Sequence, residues 1–238
     1  MRKDSQTALV TGASRGLGLA LARGLAERGW ELVLDARGEE ALEAARSELA
    51  ELTRVTALAG DVTGGEHRRS LAAAARESGG LDALVNNAST LGASPRPYLL
   101  DYPPDALEEV YRTNVLAPLA LIQEVRNALK PGARIVNVTS DAAVEPYEGW
   151  GGYGSSKAAL EQLSAILAAE NPQWRVYRVD PGDMRTRMQG EAFPGEDISD
   201  RPPPEESVPA LISLLEDDLP GGRYAARSLL DTEERGRT

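Results

Sequence analysis

"TALVTGASRGLGLALARGLAERG", Thr7 to Gly29, passes from a short apolar run through a glycine-rich turn into an amphipathic pattern. "TALV" has the length and composition of a buried strand. "LGLALARGLAERG" repeats its apolar residues at helical spacing and stops at Gly29, the residue type best suited to ending a helix. Between them, "TGASRGLG" sets Gly12, Gly16 and Gly18 where strand gives way to helix. Glycines let a backbone approach a pyrophosphate, and a helix N-terminus offers free N–H groups and partial positive charge. The spacing is G-x-x-x-G-x-G, unlike the common dinucleotide fingerprint G-x-G-x-x-G. On these residues alone a tight turn without a ligand is the alternative. The missing G-K-[ST] ending argues against a nucleoside-triphosphate loop.

The alternation continues along the chain. "ELVLDA" precedes the helical "EEALEAARSELAEL", and "RVTALAGDV" precedes "EHRRSLAAAARES". "LDALVNNA" reads as a fourth strand, followed by a proline-rich loop. A long helix then runs from about Pro104 to about Leu129, with a break near Pro118. "ARIVNVTS" is a fifth strand, a helix follows to about Glu170, "RVYRVDPG" is a sixth and "GRYAA" a seventh. Strands alternating with helices predict a doubly wound α/β domain over residues 1–238, with about seven parallel strands covered on both faces. Residues 187–206 read as a long loop over the substrate, and 231–238 as a flexible tail.

Composition narrows the function. The formal net charge of -11 over 238 residues opposes nucleic-acid binding, which needs a basic face. No apolar run reaches the roughly 20 residues of a membrane span, and "MRKDSQTALVTG" has no signal-peptide core. The expectation is a cytoplasmic protein acting on a small molecule. Zero cysteines exclude disulfides and thiolate metal sites. The single histidine, His67 in "GGEHRRS", reads as a solvated surface residue, so histidine triads and multi-histidine metal sites are not expected.

"GYGSSKAALEQL", Gly152 to Leu163, places Tyr153 and Lys157 on one helix face. A phenol of pKa about 10 is a poor acid or base at neutral pH. An ammonium about 4 Å away, at an effective dielectric near 20, is worth about 4 kcal/mol. That would lower the phenol by roughly three units, toward useful proton transfer. At the end of the second strand, "ELVLDARG" offers Asp35, where an acid would hydrogen-bond the ribose 2′-OH of NAD. The neighbouring Arg37, with Arg15 in the glycine loop, would instead pair with a 2′-phosphate, so NADP(H) is favoured over NAD(H). Asp35 would then point into or along the sheet.

Taken together, these residues resemble the short-chain dehydrogenase/reductase family. "TGASRGLG" is similar to its T-G-x-x-x-G-x-G loop, "NNA" (86–88) to its N-N-A-G segment, and "DPGDMRT" to its P-G-x-x-x-T motif. Asn114 in "RTNVLAP" matches its helix asparagine. Ser140 precedes Tyr153 by the usual thirteen residues, and "YGSSK" is its Y-x-x-x-K. The resemblance covers residues from about 7 to 190 and implies a Rossmann-type fold and an oxidoreductase. It implies that Ser140 binds a substrate carbonyl and Tyr153 donates the proton. Lys157 would lower the Tyr153 pKa and hold the ribose, and Asn114 would hold a relay water. It also implies a dinucleotide site formed by Gly12, Ser14, Arg15, Gly16, Leu17, Gly18, Arg37, Asp61, Val62, Asn87 and Ala88. Tyr153, Lys157, Pro181, Gly182, Met184 and Thr186 would complete that site. The family's NAD-selecting aspartate falls at position 36, here Ala36.

Ser89 stands where the family has glycine, and the C-terminal "PGGRYAARSLLD" lacks the usual final segment. A homodimer through the helices around 105–129 and 153–170, or a homotetramer, is the expected assembly. "NNASTLG", "EPYEGWGGYGSSKAAL" and "PGDMRTRMQ" look most like sepiapterin and benzil-type diketone reductases, which implies an α-dicarbonyl or α-hydroxyketone substrate. Ala226 stands about where the pterin-anchoring aspartate of the sepiapterin reductases would be, which argues against pterin. Leu91, Tyr147, Trp150, Met184, Met188 and Phe193 are the candidate pocket residues, with ordinary loop packing as the alternative, and Asp141 reads as touching a polar substrate, capping a helix or exposed to solvent. Two other readings remain: a non-catalytic dinucleotide-binding scaffold, and an NAD-dependent alcohol dehydrogenase.

Overall fold

At the centre of the sheet, β1 (Thr7–Thr11) alternates its side chains between two cores. Ala8 and Val10 face one hydrophobic cluster and Leu9 the other. A strand buried on both faces must be apolar throughout, which is why "TALVT" shows no polar alternation. The computed structural model describes residues 5–230. Six further strands flank β1: β2 (Glu31–Ala36), β3 (Val55–Ala59), β4 (Leu81–Asn86), β5 (Leu129–Val138), β6 (Arg175–Asp180) and β7 (Gly222–Ala225). All pairs are parallel, in the order β3-β2-β1-β4-β5-β6-β7. The order reverses between β1 and β4, and a ligand crevice opens at such a switch point, beyond the carboxyl ends of the strands.

Helices α1 (Gly16–Ala26) and α2 (Glu39–Leu49) follow β1 and β2, and α3 (Gly65–Glu77) follows β3. The long helix expected from Pro104 is three pieces. It comprises α4 (Pro104–Tyr111), a π-helical turn over Arg112–Leu116 and α5 (Ala117–Val125). Pro118 has no N–H to donate to the carbonyl of Asn114, so the regular ladder fails one turn before the proline. The helix ends before Leu129, which pairs with Leu81 at the start of β5. Helix α6 (Gly151–Glu170) carries Tyr153 and Lys157.

The stretch 187–206, expected as a loop, contains a short helix, α7 (Arg187–Ala192), capped where Thr186 Oγ1 accepts the Gln189 N–H. An element absent from the sequence reading, α8 (Val208–Glu216), buries Leu211, Leu214 and Leu215 against α1. Gly24 permits that approach, since a Cβ there would lie 2.8 Å from Val208 Cγ1. Buried Trp30 ties the same layer by donating from Nε1 to Glu216 at 3.0 Å. The expected tail at 231–238 lies outside the described residues. Among the described residues no helix is long and apolar enough to cross a membrane.

Candidate active site

The carboxyl ends of β1, β2, β3, β4, β5 and β6 open into one continuous cleft of about 790 Å³. The glycine loop forms its floor. Gly12 and Gly16 have φ of 65° and 54°, conformations open to glycine at little cost. Gly18 does not line the cleft; a Cβ there would collide with the Gly12 carbonyl oxygen and sit 2.6 Å from Asn87 Nδ2. Asn87 Nδ2 donates to the carbonyls of Thr11 and Gly12, and Thr11 Oγ1 accepts from the Ala88 N–H. The "NNA" segment thereby clamps the loop to β1. No side chain caps α1 at Arg15, so the first-turn N–H groups are left for an anion at the cleft.

Ser14, Arg15 and Leu17 from the loop, Arg37 beyond β2, and Asp61 and Val62 beyond β3 line one end. Arg15 and Arg37 are exposed there. Burial alone would raise the Asp61 carboxyl, but hydrogen bonds from Thr63 and the Arg37 charge hold it below the ordinary value. These groups fit a dinucleotide: a glycine loop under a pyrophosphate, and guanidinium groups for negative charge on the ribose. His67 is not the solvated residue expected from "GGEHRRS". Its Nε2 lies 2.6 Å from Asp35 Oδ1, and its side chain is 13% exposed. The signal was unreadable because the partner lies on β2, 32 residues away.

At the other end stand Ser140, Tyr153 and Lys157. Ser140 follows β5, and its Oγ accepts the Ala142 N–H at 3.1 Å and donates to Asp141 at 2.8 Å. Asp141 Oδ1 also accepts the Ala142 N–H, at 2.7 Å, its Oδ2 accepts from the Tyr147 hydroxyl at 3.1 Å, and the residue lines the cleft. Lys157 is 2% exposed; its Nζ donates to the Val138 carbonyl at 2.8 Å and lies 5.4 Å from the Tyr153 ring centre. The lowering of the Tyr153 phenol expected from Lys157 is not what the surroundings produce. Burial lowers Lys157 to about 7. Burial also raises Tyr153 well above the ordinary phenol value, helped by the Asp180 and Asp141 charges and opposed by the Ser140 hydroxyl. The phenol is therefore protonated at neutral pH, which suits a proton donor.

Asn114 lies outside the cleft lining, in the π-helical turn, and is 1% exposed. Its Oδ1 accepts from Ser89 Oγ and the Thr90 N–H, and its Nδ2 donates to the Thr90 carbonyl and Ser156 Oγ. That uses the capacity of the side chain. Pro118 has no N–H to donate to the Asn114 main-chain carbonyl. Ser89 is thus more than a tolerated replacement of glycine, since its hydroxyl helps lock Asn114.

Pro181, Gly182, Met184 and Thr186 line the cleft from beyond β6. Gly182 (φ 78°) turns the chain there, its N–H bonded to Asp180, and Ser207 Oγ holds the Pro181 carbonyl at 2.8 Å. Of the pocket candidates, Leu91, Tyr147, Trp150, Met184, Met188 and Phe193 all face the cleft. Trp150 stands edge-on to Tyr153 at 5.7 Å, and the Arg96 guanidinium stacks 4.1 Å from the Trp150 ring and 4.9 Å from Phe193. Sequence reading missed Arg96 and Asp180. Asp180 was visible inside "VDPGDM", but its role depends on burial, which raises its carboxyl against the lowering influence of the Gly182 N–H.

Residues 6–197 match the family described as short chain dehydrogenase, and the chain belongs to it. Among curated relatives, the sepiapterin reductase of Meriones unguiculatus is 37% identical over 196 residues, 76% of this chain and 75% of that protein. The rhamnolipids biosynthesis 3-oxoacyl-[acyl-carrier-protein] reductase of Pseudomonas aeruginosa is 36% identical over 191 residues, 76% of this chain and 73% of that one. A putative short chain dehydrogenase from Pseudomonas syringae superposes with a TM-score of 0.87 at 32% identity, covering 93% of this chain and 94% of its own. A Shigella flexneri relative complexed with NADP gives 0.87 at 29% identity, covering 93% and 97%. An NAD+-bound xylitol dehydrogenase gives 0.83 at 27%, covering 94% and 98%. The chain is an oxidoreductase of this family with a Rossmann-type fold.

Proposed function

We propose that the protein is an NADP(H)-dependent carbonyl reductase, with Tyr153 as proton donor. The observation that carries this reading is the convergence of the glycine loop, Ser140, Tyr153 and Lys157 on one cleft. A bound nicotinamide would supply the hydride chemistry, and the protein would supply position and charge. Ser140 Oγ holds the carbonyl oxygen, where negative charge grows as hydride arrives. Tyr153, kept protonated by burial, gives that oxygen its proton. Lys157, buried below the tyrosine and held by Val138, replenishes the proton and binds the ribose. Asn114 supports a relay water through its main-chain carbonyl. Asp61 and Val62 would flank the adenine, Asn87 and Ala88 would line the cofactor's path, and Pro181, Gly182, Met184 and Thr186 would hold the nicotinamide.

The preference for NADP rests on exposed Arg15 and Arg37, and NADP- and NADPH-bound relatives support it. The apolar wall of Leu91, Trp150, Met188 and Phe193 favours an α-dicarbonyl or α-hydroxyketone flanked by apolar groups. Sepiapterin reductase relatives support that class. Exposed Leu116 and Ile166 support a homodimer through the helices that carry them. The expected site of action is the cytoplasm. The test is cofactor consumption with benzil, an aliphatic α-diketone and a simple ketone, each with NADPH and NADH. Faster turnover of the diketones with NADPH is expected; turnover of the simple ketone alone, or with NADH alone, would overturn the substrate class or the cofactor choice respectively.

A further inference from the structure

Two arginines stand in register outside the cleft lining. Arg178 of β6 pairs with Arg223 of β7, and like charges directly opposite on neighbouring strands oppose folding. Buried Glu161 of α6 answers both, 2.9 Å from Arg223 and 3.7 Å from Arg178. A buried ionic cluster of this kind adds little stability over apolar packing, so its place in the fold calls for another reason. Glu161 lies one turn beyond Lys157 on the helix that carries Tyr153. Its Oε1 accepts from Thr139 Oγ1 at 2.8 Å and from Arg223 Nε at 2.9 Å. Arg223 Nη2 donates onward to the Ser140 main-chain carbonyl at 3.3 Å and lies 3.9 Å from Asp180 Oδ2. The register of β5 with β6 stops at Val138, and the Thr139 N–H still reaches the Val179 carbonyl, but Ser140 stands past the ladder. Within its own turn the Ser140 carbonyl accepts the Ala143 N–H at 3.1 Å; Arg223 grips the same oxygen from β7.

We infer that Arg223 is a positioning residue for the proposed reduction: its forked guanidinium ties the Ser140 main chain to Glu161 of the tyrosine helix, and so fixes the spacing of the Ser140 and Tyr153 hydroxyls. The inference rests on reading those hydroxyls as the carbonyl-binding and proton-donating groups. The two are hydrogen-bonded to each other, so a shift of either displaces the pair. Both must lie within hydrogen-bond reach of one oxygen as its charge grows, and a misplacement of about 1 Å costs up to about 10² in rate. A planar fork suits the task, because Nε and Nη2 address two acceptors at a fixed separation. Arg223 does not line the cleft, so it acts through Ser140.

The experiment measures single-turnover reduction of benzil by bound NADPH, with NADPH dissociation constants by calorimetry and melting curves to establish folding. It compares wild type, Arg223→Met, Arg223→Lys, Ser140→Ala and the double variant Ser140→Ala/Arg223→Met. Arg223→Met should leave NADPH affinity within about twofold and lower the saturating rate about tenfold. Repeating the change in the Ser140→Ala background should cost less than about threefold, because the hydroxyl to be placed is gone. Arg223→Lys keeps the charge without the fork and should stay nearly as slow; if Arg223→Met does not fold, this variant carries the comparison. An unchanged rate in Arg223→Met, the same fall with and without Ser140, or full recovery in Arg223→Lys would overturn the inference while leaving the proposed function standing. A wild type that reduces no carbonyl, or a Ser140→Ala variant as fast as wild type, overturns the proposed roles and this inference with them.

Discussion

Replacing Lys157 by methionine should stabilise the protein at acid to neutral pH while removing its activity. The ammonium is buried, and burial takes its pKa from 10.5 to about 7. At about 1.4 kcal/mol per unit, holding the charge in the folded state costs about 5 kcal/mol below pH 7. The substitution removes that cost, but leaves the Val138 carbonyl without its donor, a loss of about 1–3 kcal/mol. The net gain near pH 6 is about 2–4 kcal/mol, or about 4–16 °C in Tm for a chain of this size. The sign with pH follows from proton counts. Between about pH 7 and 10.5 the unfolded lysine binds more protons than the folded one, so wild-type stability rises with pH across that window. The advantage of the Lys157→Met variant should therefore shrink and reverse toward pH 10.5. Thermal melts of both proteins at several pH values, read as a difference, isolate this one group. A difference that stays constant with pH would refute the reasoning, as would a variant less stable throughout.

Two further changes probe the frame of the site. Gly18→Ala places a methyl against the Gly12 carbonyl and Asn87, so it should cost about 1–3 kcal/mol in denaturant melts and weaken NADPH binding in the same titrations. Glu161 is buried, accepts from Thr139 Oγ1 at 2.8 Å and pairs with Arg223 at 2.9 Å and Arg178 at 3.7 Å. Glu161→Gln should cost about 1.5–3 kcal/mol by urea unfolding, and an unchanged midpoint would show those arginines satisfied by solvent.

The strands and the glycine loop were legible because their signals are local. Apolar runs, Gly12, Gly16 and Gly18, and the spacing of Ser140, Tyr153 and Lys157 all lie within short windows. Helix α8 was missed because "VPALISLLE" follows the proline-rich "DRPPPEE", which drew attention to a loop. The π-helical turn was foreshadowed only as a break near Pro118; its consequence for Asn114 needs the three-dimensional partners Ser89, Thr90 and Ser156. His67 looked solvated because its neighbours in sequence are polar, while Asp35 reaches it from β2. The titration of Tyr153 and Lys157 was misjudged for a similar reason. Helical spacing brings two groups together, but burial, which depends on the whole fold, sets their charge.

The central claim is that Tyr153 delivers the proton in a dinucleotide-dependent reduction. Its most direct test is single-turnover reduction of benzil by NADPH bound to wild type and to Tyr153→Phe, with NADPH affinity measured for both. The account predicts unchanged affinity and a loss of about 10²–10⁴ in rate, the range for a positioned general acid. A variant that binds NADPH and reduces benzil at the wild-type rate would contradict it.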